Sequence, residues 1–194
     1  MNILQNFIKN IADIDDVSSQ KLVDLATIVN FKKNDVVVRA GDLQSNFYIL
    51  RSGIMKSYYF DKNGKSHIRN FFTAMSTTGD IGALLTKKPA KLFYDYFTDC
   101  ELYAINYKEF MDMVDKDHEF CKMFSKMLSK IVLIFESKIY DLSVLNATER
   151  YLKLRQELPD LEKLVPQYHI ASYLNITPTQ LSRIRKDIVL KNIS

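Results

Sequence analysis

The sequence predicts an α+β fold in which an antiparallel, jelly-roll-like β-roll precedes a long helix and a C-terminal helix pair. All five glycines lie between residues 41 and 82, and glycine favours the turns and bulges of a β region. From about residue 115 the apolar residues recur at steps of three and four, the period of a helix. Near the C-terminus, "YHIASYLNITPTQLSRIRK" combines a helical pattern with a basic face.

Composition excludes several classes of protein. Apolar residues make up 47% of the chain and charged residues 26%, as in ordinary globular proteins. The net charge of +4 is compatible with an anionic partner without requiring one. The sequence holds no apolar run near the roughly 20 residues that span a bilayer. The first residues, "MNILQNFIKNIADI", have the spacing of an amphipathic helix, so we expect a cytoplasmic protein without membrane association.

The N-terminal domain, residues 1–114, is predicted to hold short helices and the β-roll. Runs of β-branched and aromatic residues alternate with glycine about every ten residues, a pattern of short antiparallel strands. Asn63-Gly64 predicts a hairpin with a type I′ turn, in which both residues have positive φ. "FYDYFTDCELYAINYKEF" predicts the closing strands, with the chain turning into helix from Tyr107.

A long helix is predicted over residues 115–145, a stretch without glycine or proline. At 1.5 Å per residue, about 28 residues make a helix about 40 Å long. One small sheet cannot cover such an apolar stripe, so we expect a second copy of the helix across a two-fold homodimer. The alternative is a helix packed entirely within one subunit. The predicted dimer interface consists of Phe124, Met127, Ile131, Ile134, Phe135, Ile139 and Leu142.

The C-terminal domain, residues 146–194, begins with a helix predicted from Ala147 to Leu158 that Pro159 ends. Two short helices follow, the first predicted over residues 167–174. The second starts at Pro178, because proline is favoured at the first helical position.

The junction between these two helices has its own signals. Thr177 and Gln180 form a Thr-x-x-Gln capping box at the start of the second helix. Asn175 tolerates the left-handed conformation of a tight turn between helices. The predicted inner faces consist of Ile170, Ala171 and Leu174 on the first helix and Leu181, Ile184 and Ile188 on the second.

The outer face of the second helix has the chemistry of a helix-turn-helix DNA reader. An arginine such as Arg183 can donate two hydrogen bonds to guanine, whereas Arg185 and Lys186 are expected to contact phosphates. The alternative is a solvated charged face on an ordinary helix pair. The predicted DNA-binding residues are Thr177, Thr179, Gln180, Ser182, Arg183, Arg185 and Lys186.

Over nearly its whole length the sequence resembles the Crp/Fnr family of bacterial transcription regulators. The features that carry this resemblance are, in order, "GDLQSNFYILRSG", "YYFDKNGKSH", "TGDIGALL", the long helix and "YHIASYLNITPTQLSRIRK". The resemblance implies a β-roll of the cyclic-nucleotide-binding type, a dimer helix and a DNA-binding domain whose second helix enters the major groove. It also implies half-sites one helical turn apart.

The sequence departs from the family pattern at two places. Gly79-Asp80 stands where members that bind cyclic AMP carry Gly-Glu, and the following "KKPAKLFYDY" lacks the arginine that holds the cyclic phosphate. Cyclic AMP is therefore not the expected effector, and the pocket holds another ligand or none. "DIVLKNIS" leaves room only for a truncated wing or none. The predicted effector pocket consists of Gly79, Asp80, Ile81, Gly82, Ala83 and Lys91.

No metal, iron–sulfur cluster or haem is expected. Two cysteines cannot supply the four thiolates of a cluster, and His67, His118 and His169 each resemble ordinary surface or capping residues. A cupin-type metalloenzyme would need several ligands in the β region, which has one histidine. The protein is therefore not expected to be an enzyme.

The predicted function is a homodimeric, sequence-specific DNA-binding transcription regulator. Its expected partners are double-stranded DNA, a second copy of the chain, RNA polymerase and a small-molecule effector. The alternative is a ligand-sensing or scaffold protein whose C-terminal helices bind another protein.

Overall fold

The computed structural model describes residues 3–12 and 14–193, with side chains up to residue 190. Residues 1, 2, 13 and 194, which belong to the predicted terminal domains, lie outside the described residues. The described helices are α1 (Ile3–Ile11), α2 (Asp16–Leu25), α3 (Ile81–Thr86), α4 (Tyr107–Lys116), α5 (His118–Val144), α6 (Ala147–Glu157), α7 (Leu161–Leu164), α8 (Gln167–Tyr173) and α9 (Pro178–Ile193). Across these ranges no helix is both long and apolar enough to cross a membrane.

Two antiparallel sheets of four strands each form the β-roll, which confirms the predicted β region followed by helices. One sheet has the strand order β1-β8-β3-β6 and the other β2-β7-β4-β5. Apolar side chains from both sheets, among them Leu50, Met55, Tyr94 and Leu102, are buried between them. The strands are β1 (Thr27–Phe31), β2 (Val36–Val38), β3 (Asn46–Ser52), β4 (Met55–Phe60), β5 (Ser66–Phe72), β6 (Thr77–Thr78), β7 (Phe93–Tyr96) and β8 (Cys100–Asn106).

The hairpin between β4 and β5 exists, but its turn is not the predicted type I′. Within the connection only Gly64 has a positive φ, of 77°, so Asn63 does not adopt the conformation that such a turn requires. Asp61 closes a longer loop instead. Its Oδ1 accepts hydrogen bonds from the Asn63 amide at 2.8 Å and the Lys65 amide at 3.0 Å.

The long helix begins three residues later than predicted, because the helical conformation is interrupted between α4 and α5. Asp117 has extended backbone angles, φ −131° and ψ 119°, and its carboxylate accepts a hydrogen bond from the Glu119 amide. This side chain ends one helix and caps the next. The first half of α5 then buries Phe120 and Met123 against α1, α4 and the β-roll.

The second half of α5 is different. Within the subunit it leaves most of its large apolar side chains exposed, in contrast to the half that precedes it. The exposed set is Val132, Leu133, Ile134, Phe135, Ile139, Tyr140, Leu142 and Val144.

Gly53 lies where the chain leaves β3, and it has no room for a side chain. Its φ is +97°, and a Cβ there would lie 2.6 Å from the Asp99 carbonyl oxygen and closer still to Cys100 Sγ. We expect Gly53→Ala to lower the free energy of unfolding by about 2 kcal/mol or more. Gly64→Ala, where the space is open, should cost only about 1 kcal/mol from its positive φ. Equal losses for the two variants in urea denaturation would contradict this prediction.

Candidate functional site

The C-terminal helix pair, α8 and α9, forms at the predicted positions. The Gln180 amide donates to Thr177 Oγ1 at 3.2 Å, and the Thr177 amide donates to Gln180 Oε1 at 2.8 Å, so the capping box has both of its hydrogen bonds. Asn175 has φ 55°, the left-handed conformation that its residue type allows.

The inner faces of this pair pack as their apolar spacing predicts. Ile170, Ala171 and Leu181 are completely buried, and Leu174 is almost so. The small side chain of Ala171 lies where the turn closes, and its carbonyl oxygen accepts a hydrogen bond from the Ile176 amide at 3.0 Å. These contacts fix the angle between the helices and therefore decide which side of α9 faces outward.

The outer face of α9 holds only part of the predicted DNA-binding set as free side chains. Thr179, Ser182, Arg183 and Lys186 are exposed, and neither Arg183 nor Lys186 is in an ion pair among the described residues. Arg185 is half-buried and lies beside a carboxylate, and its role as a phosphate contact stays a prediction.

Arg185 belongs to a cluster around one carboxylate. Glu162 lies 3.6 Å from Arg185 Nε and 3.6 Å from Arg155 Nε, and it accepts a hydrogen bond from the Tyr151 hydroxyl at 2.7 Å. Burial, with the neighbouring carboxylate, raises the pKa of Tyr151 to about 12. Because these groups come from α6, α7 and α9, Glu162 ties the second helix of the pair to the helices before it.

A cavity of about 1070 Å³ lies between the β-roll, α5 and α8. Of the predicted effector residues, Gly79 and Ile81 line it, whereas Asp80, Gly82, Ala83 and Lys91 are not among its lining residues. Aromatic and aliphatic side chains dominate the end nearest the β-roll. They include Phe47, Leu84, Phe110, Phe124, Leu128 and Ile131.

Asp80 has a structural role that its place in the sequence did not suggest. Its Oδ1 accepts from the Ala83 amide at 3.2 Å and caps α3, while Oδ2 accepts from the Lys91 amide at 3.0 Å. Only 8% of the residue is exposed. Both carboxylate oxygens are therefore engaged with the backbone, and the side chain holds the loop after α3 instead of facing the cavity.

The sequence did not predict Arg69, which lines the cavity, because the position expected for a binding arginine lies after Asp80. In the pairing of β4 with β5, Ser57 lies opposite Asn70 and Tyr58 opposite Ile68, which leaves Arg69 as the extra residue of a β-bulge. Bulges redirect side chains out of the regular alternation of a strand. No pattern in "SHIRNFF" predicts this bulge.

Comparisons with known proteins agree with this architecture. Residues 28–117, a little under half of the chain, match the profile of the cyclic nucleotide-binding domain. This part of the chain has the cyclic nucleotide-binding fold. A curated relative, the cAMP-dependent protein kinase regulatory subunit of Blastocladiella emersonii, is 30% identical over 79 residues, which is 41% of this chain and 19% of the relative. The chain thus spans about a fifth of that relative.

Solved structures extend the likeness to the C-terminal helices. FixK2 from Bradyrhizobium japonicum has a TM-score of 0.72 at 16% identity, covering 87% of this chain and 86% of that one. The c-di-GMP responsive global regulator CLP of Xanthomonas campestris has a TM-score of 0.69 at 18% identity, covering 92% and 93%. At these identities the likeness shows the fold alone. CLP is a global regulator, and the Blastocladiella protein is a regulatory subunit of a kinase.

The helix pair packs directly on the cyclic nucleotide-binding fold. The Ile68 amide of β5 donates to Ser172 Oγ of α8 at 3.0 Å, and the rings of Phe71 and Tyr173 lie 5.1 Å apart. Ile68, Phe71 and Phe97 belong to one buried cluster with the inner residues of α8 and α9. The two parts therefore share a core, which we call the seam.

A buried polar group lies at one end of the seam. Lys56 Nζ is 3.3 Å from Asp95 Oδ1 and 3.3 Å from His169 Nε2. Because an ammonium only donates, Nε2 accepts, and the ring proton lies on Nδ1, which has no partner among the described residues. Burial, with the charge of Lys56, lowers the pKa of His169 to about 4. Burial raises the pKa of Asp95, and Lys56 opposes that rise.

His169 is therefore not the surface or capping residue that the sequence predicted, since only 8% of it is exposed. It seals the polar end of the seam as a neutral acceptor. His67, by contrast, is half-buried and lies 2.9 Å from Asp61 in the hairpin loop.

The seam should make stability depend on pH. A histidine with pKa about 4 when folded and about 6.5 when unfolded binds a proton first in the unfolded chain. The free energy of unfolding should therefore fall by on the order of 2 to 3 kcal/mol between pH 7 and pH 4. In His169→Gln, the free energy of unfolding measured with urea should change less between pH 7 and pH 5 than in the parent. In His118→Gln, a change at an exposed histidine, it should change with pH as in the parent. Parallel pH curves for the parent and His169→Gln would contradict the prediction.

Proposed function

We propose that the chain is a homodimeric, sequence-specific DNA-binding transcription regulator of the Crp/Fnr type, with a small-molecule sensor in its β-roll. The observation that carries this proposal is the outer face of α9. Thr179, Ser182, Arg183 and Lys186 are exposed there, on a helix whose opposite face is held by the seam. A helix presented in this way fits the major groove of DNA.

The residues of this face divide by the contacts they can make. Arg183 can donate two hydrogen bonds to guanine O6 and N7, and Thr179 or Ser182 can bond another base edge. Lys186, a point charge without a fork, suits phosphate. Arg185 would have to leave Glu162 to reach the backbone, so we assign it to the fold of the domain.

Dimerisation rests on the second half of α5. Ile139 is 66% exposed, Val132 62% and Val144 60%. So much apolar surface on one helix is typical of a covered face, and a second copy of the same helix is its simplest cover. Phe124 and Met127 pack against the subunit's own core, which moves the proposed interface toward residues 131–144. A two-fold axis along α5 would place two α9 helices on half-sites about 34 Å apart.

DNA binding is tested by selecting sites from random duplex DNA and measuring affinity at fixed salt. Arg183→Ala should cost about 1 to 3 kcal/mol and relax specificity at one base position, because a bidentate contact is lost. Lys186→Ala should weaken binding to all sequences alike and reduce the salt dependence.

The matched control is Lys65→Ala, which removes the same charge from the exposed hairpin of the β-roll. It should leave DNA binding unchanged. If no site is recovered and Arg183→Ala has no effect, the helix pair does not read DNA, and binding to a protein partner becomes the preferred function.

The dimer is tested with Ile139→Glu. Glutamate is a good helix former, so the variant should keep its fold while burying a charge in the proposed interface. Sedimentation should show a shift from dimer to monomer, and DNA affinity should fall with it. Leu43→Glu, at an apolar residue of the β-roll that is 76% exposed, should remain dimeric. A parent chain that stays monomeric at all concentrations would overturn this part of the proposal.

A further inference from the structure

The end of the cavity nearest the β-roll combines an apolar wall with one strong cation. Its surroundings are aromatic and aliphatic: Phe47, Leu84 and Phe110 form one wall with Phe124 and Leu128 of α5, and the Phe110 and Phe124 rings are in contact at 5.8 Å. Such walls suit the apolar body of a small ligand, whose few polar groups must then meet specific partners.

Arg69 is placed to be such a partner. It enters the cavity from the β-bulge, and it is in no ion pair among the described residues. Its guanidinium carbon lies 4.9 Å from the centre of the Phe135 ring on α5. It also lies beside Tyr94, whose hydroxyl donates to the Gly79 carbonyl oxygen at 2.9 Å. Tyr94 and Phe135 therefore hold the guanidinium without neutralising it.

The other cations that line the cavity are already engaged. Lys153 Nζ lies 2.7 Å from Asp141 Oδ2. Lys138 donates to the Tyr173 carbonyl oxygen at 3.3 Å and lies over that residue's ring. Both lie toward α6 and α8, away from the β-roll end.

A second polar group of the cavity lacks a partner. Thr78 is 4% exposed and lines the cavity, and its hydroxyl makes no hydrogen bond within the described part of the chain. A buried hydroxyl without a partner is costly.

We propose that this cavity binds an apolar monocarboxylate, with Arg69 pairing with the carboxylate and the aromatic wall enclosing the hydrocarbon body. The proposal rests on the proposed function, because it names the class of effector that the sensor would take. Arginine and carboxylate form a two-pronged pair that fixes orientation as well as charge.

The same walls disfavour a cyclic nucleotide. Its ribose hydroxyl and base would need donors and acceptors where the structure places phenylalanine and leucine side chains. Asp80 is not among the residues that line the cavity, and both of its carboxylate oxygens accept backbone hydrogen bonds.

The test is isothermal titration of the full chain with decanoate, 1-decanol and cyclic AMP. Decanoate should bind at least tenfold more tightly than decanol. Arg69→Gln should lower decanoate affinity at least tenfold and leave decanol affinity unchanged, and Arg69→Lys, which keeps the charge without the fork, should lie between. Arg39→Gln, the same change at an exposed arginine, should bind decanoate as the parent does. Circular dichroism confirms that each variant is folded.

Three outcomes would overturn the proposal. Equal binding of decanoate and decanol, unchanged in Arg69→Gln, would mean that the cavity selects only apolar bulk. Tighter binding of cyclic AMP that is lost in Arg69→Gln would assign the arginine to a phosphate. If none of the three binds while the chain still selects a DNA site, the effector class is wrong and the proposed function stands. If the chain binds decanoate specifically but selects no DNA site, the ligand class is right and the proposed DNA-binding function is wrong.

Discussion

The structure depends on the seam, where the inner residues of α8 share a core with β4 and β5. The helix pair could not keep a fixed orientation through its own small core alone, because α8 has only seven residues and short helices take their stability from packing. The sheet supplies that packing through Ile68 and Phe71, and Ser172 fixes the register with a hydrogen bond to the Ile68 amide. The direction in which Arg183 points is thus decided partly by the β-roll.

The polar group at the end of the seam limits how the packing of α8 on the β-roll can change. The Lys56 ammonium has two acceptors, Asp95 and His169. Separating α8 from the β-roll would partly expose the ion pair between Lys56 and Asp95 to water. It would also free His169 to take up a proton. A buried polar group of this kind adds little net stability but penalises alternative packings. The polar group therefore disfavours slightly shifted packings of α8 on the β-roll.

The sequence predicted what depends on period and local conformation: the β-roll, the helices after it, the capping box at Thr177 and the left-handed turn at Asn175. It did not predict what depends on contacts between distant segments. Helical spacing places Arg185 on the outer face, but its side chain forms an ion pair with Glu162 of α7. Arg69 is redirected by a bulge that only the pairing with β4 creates, and His169 is buried by a sheet about a hundred residues earlier in the chain. In each case the local pattern was compatible with both outcomes.

Arg69 connects the cavity to the rest of the molecule through Phe135. In the structure its guanidinium lies over that ring, so a carboxylate that draws the guanidinium toward the β-roll would weaken a contact to α5. The cost of a cation–π contact, about 0.5 to 2 kcal/mol, is comparable to the coupling energies by which ligands shift two-state proteins. A ligand can move such an equilibrium only by its difference in affinity for the two states. Phe135 lies among the exposed apolar residues of α5, and α5 leads through α6 to the helix pair. A change in the position of α5 would therefore act on the proposed dimer directly, and on α8 through the hydrogen bond from Lys138 to the Tyr173 carbonyl oxygen.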